Sequence, residues 1–107
     1  MEIGGGEPRM DERVLSKELI VAAEIYRLSE VEREDVYFSR LVENLRGKER
    51  VSSPATVSKA LDVLFDLGMV FAEWKQLRSG RWARVLKIAG ESRNFIKSIY
   101  ERAYCAK

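Results

Sequence analysis

Apolar residues recur every three to four positions in several segments of the chain, a spacing typical of amphipathic helices. In the first segment Leu15, Leu19, Ala22 and Tyr26 follow this spacing, and neighbouring apolar residues widen the stripe beyond what one core face requires. Such a helix is either central in its domain or shared with a second subunit. The pattern predicts helices over residues 11–29, 39–47, 53–67 and 91–106.

The third predicted helix has clear start and stop signals. Ser53 can accept a hydrogen bond from an amide of the first turn, and Pro54 fits the first helical position, where its missing amide hydrogen costs nothing. Gly68 can adopt the positive φ that closes a helix. By the same reasoning Ser39 is the predicted N-cap of the second helix.

Two β-prone runs follow, Val70 to Leu77 and Trp82 to Ala89, and the short loop between them contains Gly80. This pattern predicts a hairpin. A register with Leu77 opposite Trp82 places Lys75 opposite Arg84. The apolar residues then expected to share one face are Phe71, Leu77, Trp82, Leu86 and Ile88. A shorter β-prone run at residues 36–38 precedes the second helix.

The predicted order of elements is therefore α-β-α-α-β-β-α, an α+β fold that is mostly helical and has an additional C-terminal helix. Residues 1–10 contain three consecutive glycines and a proline and are expected to form a flexible leader. Residues 11–90 form the expected domain. Residues 91–107 form the C-terminal helix, which is expected to serve as a dimerisation element.

Composition excludes several classes of function. A chain of 107 residues without histidine lacks the commonest general base and metal ligand, and Cys105 is its single cysteine. We therefore expect no enzyme activity, no metal, no cofactor and no intrachain disulfide. No membrane segment or signal peptide is visible, which predicts a cytoplasmic protein. Few amides and many charged residues are typical of thermophiles.

Charge is distributed unevenly along the chain, although the net charge is only +2. The first 52 residues carry 12 acidic and nine basic side chains, whereas the remainder carries five acidic and ten basic ones. Between Trp74 and Gly90 there are five basic residues and no acidic one. This stretch is either a polyanion-binding ribbon or a solvated hairpin.

The stretch from Val51 to Val70 contains a Thr-Val-Ser segment, spaced leucines, a glycine and two apolar residues that lead into the hairpin. It resembles the recognition helix of winged helix-turn-helix transcription regulators of bacteria and archaea, a class that includes MarR-, ArsR- and PadR-like proteins. The likeness covers residues 12–90. The connection from Arg46 to Ser52 departs from the family pattern, because it is longer than the turn of about 3–4 residues in a tight helix-turn-helix.

The resemblance implies a regulator that binds double-stranded DNA, with helix 53–67 in the major groove and the 70–89 wing on the backbone or in the minor groove. The sequence leaves open whether the partner is DNA or structured RNA, and it gives no sign of a small-molecule ligand. The expected contacts come from three groups of residues. The recognition helix contributes Ser53, Ala55, Thr56, Ser58 and Lys59, and the wing contributes Lys75, Arg78, Arg81 and Arg84. The residues expected to contact the DNA backbone are Arg40, Arg46, Lys48 and Arg50.

The first and last helices carry more apolar surface than a small core requires, which predicts a homodimer. The candidate interface residues are Leu19, Ala23, Phe95, Ile99, Tyr100 and Tyr104. Packing of the last helix on its own domain is the alternative. An alternative function is a winged-helix protein-interaction module without nucleic-acid contact, which the acidic N-terminal half and Asp62 and Asp66 favour.

Overall fold

The structure is a computed structural model that describes residues 15–105. The predicted leader and residues 11–14 of the first predicted helix lie outside the described residues. The helices are α1 (Lys17–Tyr26), α2 (Phe38–Leu45), α3 (Pro54–Asp66) and α4 (Arg93–Tyr100), and the strands are β1 (Val70–Gln76) and β2 (Trp82–Ile88). Short 3₁₀ turns precede α3 and α4, and π-helical turns, Arg27–Val31 and Glu101–Cys105, extend α1 and α4.

Helix α1 is the centre of the fold. Every residue from Ile20 to Tyr26 is buried, so the wide apolar stripe is covered on all sides within one chain. Helices α2, α3 and α4 and strand β2 all contact it. Ser16 caps its N-terminus by accepting from the Leu19 amide at 3.2 Å, a cap that the periodicity alone does not reveal.

Both ends of α3 form as its sequence predicts. Ser53 accepts from the Thr56 amide at 3.1 Å, and Pro54 occupies the first helical position. Gly68 has φ +73, and the amides of Gly68 and Met69 bond back to the carbonyls of Phe65 and Leu64. This is the Schellman arrangement, which satisfies the last carbonyls and turns the chain into β1.

The hairpin forms as predicted, but its predicted register was wrong by one residue. The Leu77 carbonyl accepts from the Gly80 amide, and the Leu77 amide donates to the Arg81 carbonyl at 2.7 Å. Gly80 has φ +92, so the loop is a three-residue connection with a glycine bulge rather than a four-residue loop. Gln76 therefore pairs with Trp82, Trp74 with Arg84 and Lys75 with Ala83.

The corrected register changes which residues share a face. Val70 and Ala72 lie opposite Ile88 and Leu86 on the face that packs against the helices. Phe71, which was predicted on this face, lies opposite Lys87 on the other one. The predicted repulsive pair of Lys75 and Arg84 does not form.

A single backbone bridge joins the hairpin to the helical part of the chain. The predicted short strand 36–38 is reduced to the pairing of Val36 with Leu86, in which the Leu86 amide donates to the Val36 carbonyl at 2.8 Å. Helix α2 then begins at Phe38, with Tyr37 rather than Ser39 at the N-cap position. The predicted cap was wrong because the chain turns helical as soon as the buried Val36 has been paired.

The C-terminal helix packs on α1 of its own chain. It begins at Arg93 after the 3₁₀ turn Gly90–Ser92, two residues later than predicted, and its last predicted residue lies outside the described residues. The rings of Tyr26 and Tyr100, and those of Tyr100 and Tyr104, are each 5.2 Å apart. The apolar face of this helix is therefore used largely within one protomer.

A buried carboxylate ties three elements together. Glu24 of α1 is 2% exposed, and it accepts from the Arg27 guanidinium at 2.7 Å and from Asn44 Nδ2 of α2 at 3.1 Å. The Tyr104 hydroxyl donates to the other carboxylate oxygen of Glu24. Burial is the main cause that raises the pKa of Tyr104, and the nearby charge of Glu24 raises it further. The hydrogen bond to Glu24 also raises the pKa of Arg27.

Replacing Tyr104→Phe removes a hydrogen bond to a buried charge, and the free energy of unfolding should fall by about 1–2 kcal/mol at neutral pH. Because the pKa of Tyr104 in the folded state lies above its ordinary value of 10.0, the unfolded state loses this proton first as the pH rises. The stability that the hydroxyl contributes should therefore be present below pH 10 and be lost above it. Urea unfolding of both proteins across this pH range measures the effect.

Tyr37→Phe is the matched control, since the Tyr37 hydroxyl makes no hydrogen bond within residues 15–105. It should leave the free energy of unfolding within about 0.5 kcal/mol of the original value. Equal stability of the Tyr104→Phe variant and the original protein would show that the C-terminal turn does not hold Glu24.

Candidate nucleic-acid interface

The N-terminal turn of α3 uses two of its predicted contact residues internally. The Ser53 hydroxyl accepts from the Thr56 amide and donates to Thr56 Oγ1 at 2.9 Å. Ala55, Ser58 and Lys59 are exposed and make no ion pair or side-chain hydrogen bond within the described residues. Small and basic side chains therefore form the accessible surface of this helix end.

The wing and α3 meet at an open cavity of about 260 Å³. Ser58 and Asp62 of α3 line one side and Arg84 of β2 lines the other, with Phe38, Leu61, Phe65 and Leu86 completing the wall. The Arg84 guanidinium lies 5.5 Å from the centroid of the Phe65 ring, a cation–π distance. One continuous surface thus joins the exposed face of α3 to the inner strand of the wing.

The cations of the wing differ in what they contact. Arg78 and Arg81 are exposed on either side of the hairpin turn, and neither forms an ion pair in the part of the chain that the structure describes. Lys75 forms an ion pair with Asp35, and this hydrogen bond raises its pKa. Of the predicted wing contacts, Arg78, Arg81 and Arg84 thus lack a carboxylate partner among residues 15–105.

The acidic connection between α1 and α2 is neutralised by basic residues of the same chain. Glu30 pairs with Arg93 at 2.8 Å, Glu34 pairs with Arg40 at 2.8 Å, and Glu32 lies 3.3 Å from Arg27. Together with the Asp35–Lys75 pair, each of its four carboxylates has a cationic partner. The acids of this connection therefore leave the arginines of the wing free for another partner.

The residues predicted to contact the DNA backbone lie on α2 and in the connection that follows it, and they also differ in whether they have a partner within the chain. Arg40 is held by Glu34, and Arg50 donates to the Leu15 carbonyl. Arg46 and Lys48 form no ion pair within residues 15–105. The Arg50 contact joins residues 35 positions apart in the chain, so it could not be predicted from the sequence.

Two aromatic residues of this surface were misjudged from the sequence. Trp82 was predicted on the buried face and Trp74 was given no role, yet both are largely exposed. The hairpin extends past the helices that cover its base, so the face that is buried at Leu86 is open at Trp82. Exposure at a hairpin end depends on how far the helices reach, which no local pattern reveals.

The candidate dimer residues fall into two groups. Ala23 and Ile99 are buried within the protomer, so the prediction that they lie in a dimer interface was wrong. Leu19, Tyr100 and Tyr104 are half-buried against the core, and Phe95 is 51% exposed. Phe95 is the candidate with the most surface to offer a partner.

Residues 15–105 contain no group of three or more carboxylate, cysteine or histidine side chains that could hold a metal ion. They also contain no helix that is long and apolar enough to cross a bilayer.

No protein-family model matches the chain, and no curated protein is significantly similar. Solved structures with a similar fold include two Pex proteins. The circadian clock associated protein Pex from Anabaena superposes with a TM-score of 0.61 and 20% identity, covering 81% of this chain and 76% of that one. Pex from Synechococcus sp. (strain PCC 7942) superposes with a TM-score of 0.56 and 25% identity, covering 82% and 81%.

These neighbours confirm the predicted fold class: the chain is a winged helix with an additional C-terminal helix. Neither neighbour is named as an enzyme. The narrower likeness to MarR-, ArsR- and PadR-like regulators stays a prediction.

Replacing Ser53→Ala should destabilise the protein by about 1 kcal/mol, because the first turn of α3 loses the acceptor for the Thr56 amide. Ser52→Ala is the matched control one residue earlier, and it should change the free energy of unfolding by less than about 0.5 kcal/mol. Thermal unfolding of the two variants measures the difference. Equal stability would mean that Ser53 is available to a ligand rather than committed to its helix.

Proposed function

We propose that the protein is a regulator that binds double-stranded DNA. The N-terminal end of α3 enters the major groove, and the wing lies against the flanking backbone or the minor groove. The Pex neighbour from Anabaena is described as a circadian clock associated protein, and a regulatory role for this chain is consistent with that likeness.

The shared cavity of α3 and β2 is the observation that carries the proposal. Because Ser58 and Arg84 line the same cavity, a ligand that contacts the exposed face of α3 also meets the cationic strand of the wing. Arg78 and Arg81, without carboxylate partners in the described chain, extend this surface to the hairpin turn. A row of unpaired cations beside an accessible helix end suits a polyphosphate backbone.

The charges along α3 limit how deeply the helix can lie in a groove. Lys59 is near its N-terminus, whereas Asp62 and Asp66 lie on its C-terminal half and repel phosphate. The positive end of the helix dipole favours phosphate at the N-terminus. We therefore propose that Ala55, Ser58 and Lys59 approach the bases and that the C-terminal half stays outside the groove.

A protein-docking function is the second candidate. Val63 of α3 and Leu67, the residue that follows α3, are exposed beside Asp62 and Asp66. An apolar pair flanked by acids suits a protein surface better than a phosphate backbone. In this alternative the wing contacts no nucleic acid.

Dimerisation accompanies the DNA-binding proposal. We propose that two protomers pair through the outer face of α4 around Phe95, with Leu19, Tyr100 and Tyr104 at the margin. A two-fold axis would then set two copies of α3 about 34–36 Å apart, one turn of DNA.

The affinity for double-stranded DNA should fall steeply with salt. If Lys59, Arg78, Arg81 and Arg84 each neutralise one phosphate, the plot of log K against log salt should have a slope near about −4 per subunit. Replacing Arg78→Ala and Arg81→Ala together should make this slope shallower by about 2 and weaken binding to all sequences alike. Fluorescence anisotropy with a labelled duplex measures both.

Lys17→Ala with Arg102→Ala is the matched control, because it removes the same charge from exposed positions outside the proposed surface. It should leave the slope within about 0.5 of the original value. A slope near zero for the unmodified protein would contradict the DNA-binding proposal and favour the docking alternative.

Replacing Phe95→Lys should convert a dimer into a monomer in sedimentation equilibrium, since it places a charge at the centre of the proposed apolar contact. Val31→Lys, which replaces another half-exposed apolar residue, is the control and should leave the dimer intact. A monomeric unmodified protein, or a dimer that survives Phe95→Lys, would contradict this interface.

A further inference from the structure

Two tryptophans occupy one face of the wing beyond the reach of the helices. Trp74 pairs with Arg84 and Gln76 pairs with Trp82, so all four side chains lie on the same face of the hairpin. Trp74 is 66% exposed and Trp82 is 60% exposed. Diagonal neighbours across two strands lie close enough for aromatic rings to act together.

This exposed face is the continuation of the face that packs on the core. Val70, Leu86 and Ile88 lie on it at the base of the hairpin and are buried. Arg84 lies on this face between Leu86 and Trp82 of β2 and opposite Trp74, and its guanidinium stacks over Phe65 of α3. The tryptophans therefore lie on the same face of the wing as the cavity shared with α3.

The surroundings of the tryptophans favour nucleobases over an apolar partner. Arg78, Arg81 and Arg84 follow Trp74 in the sequence and form no ion pair within residues 15–105, whereas Lys75 lies on the opposite face and pairs with Asp35. Exposed aromatic rings among cations form the platform on which proteins stack bases, with each phosphate attracted to a neighbouring cation. Neither a neutral apolar segment nor a basic protein surface would gain from these charges.

Stacking requires a base whose face is open. In a regular duplex the base faces are covered by their neighbours and only the edges can be reached, whereas a kinked step, a bulge or a single strand exposes them. The adjoining cavity of about 260 Å³ is lined by apolar side chains together with Ser58, Asp62 and Arg84, which can donate to or accept from a base edge.

We propose that Trp74 and Trp82 form a stacking platform for unpaired nucleobases, so that the protein prefers DNA with a kinked, bulged or single-stranded segment to a fully paired duplex. This inference rests on the proposed DNA-binding function, and it names the kind of DNA that the wing selects.

The test uses three labelled DNAs: a fully paired duplex, the same duplex with a central thymine bulge, and the bulged strand alone. The bulged duplex should bind about tenfold more tightly than the paired duplex, the difference expected from one stacked base. It should also bind more tightly than the single strand, which offers no major groove to α3, so the two open forms distinguish a local opening from complete strand separation. The chain has only two tryptophans, so tryptophan fluorescence, excited where tyrosine does not absorb, reports on Trp74 and Trp82 alone, and we expect quenching by the open forms.

The double variant Trp74→Leu with Trp82→Leu should lose the preference and keep its affinity for the paired duplex, because its cations are unchanged. Phe71→Leu replaces an exposed aromatic residue on the opposite face of the same hairpin and should keep the preference. Equal binding of all three DNAs without quenching would overturn the platform and leave the DNA-binding proposal standing.

Failure to bind any of the three DNAs at low salt would overturn the DNA-binding function and the platform together. If the leucine double variant does not unfold cooperatively, the emission of the unmodified protein decides the question. Quenching by the bulged duplex but not by the paired one would support the platform, and unchanged emission would overturn it.

Discussion

The burial of α1 on all sides is the constraint on which the rest of the structure depends. A helix that is apolar around its circumference must be surrounded, and here α2, α3, α4 and β2 surround it. Packing α3 and β2 on neighbouring sides of one helix brings Phe65 beneath Arg84. The surface proposed to bind DNA is therefore a consequence of core packing, since its two halves belong to elements that are joined through α1.

Electrostatics then determines which part of this surface is available. The acidic connection between α1 and α2 is near enough to the helices and the wing to attract cations, and its four carboxylates have four basic partners. Exposed pairs of this kind add little stability, but they cancel charge locally. The positive charge that these pairs leave uncompensated therefore lies at the outer end of the hairpin. A chain with a net charge of only +2 can in this way present a cationic edge.

Features set by neighbouring residues could be predicted from the sequence. Ser53, Pro54 and Gly68 specify the ends of α3 because capping and a positive φ act over a few residues. The hairpin was predicted for the same reason, yet its register depended on one glycine bulge and was missed by one residue. The arginines of the wing that form no ion pair within residues 15–105 could be identified as candidates from charge alone.

Long-range contacts could not be predicted in this way. Lys75 meets Asp35 across 40 positions, and Tyr104 meets Glu24 across 80. Nothing local to Lys75 distinguishes it from Arg78, although one is paired and the other lacks a partner among the described residues. The exposure of Trp74 and Trp82 likewise depends on where the helical layer ends.

The proposal that α3 and the wing form one DNA-binding surface can be tested by backbone amide chemical shifts recorded during titration with duplex DNA. We expect the largest changes to occur together at residues 55–59 and 76–84, with small changes along α4. Large changes confined to α4, or changes at only one of the two segments, would contradict it.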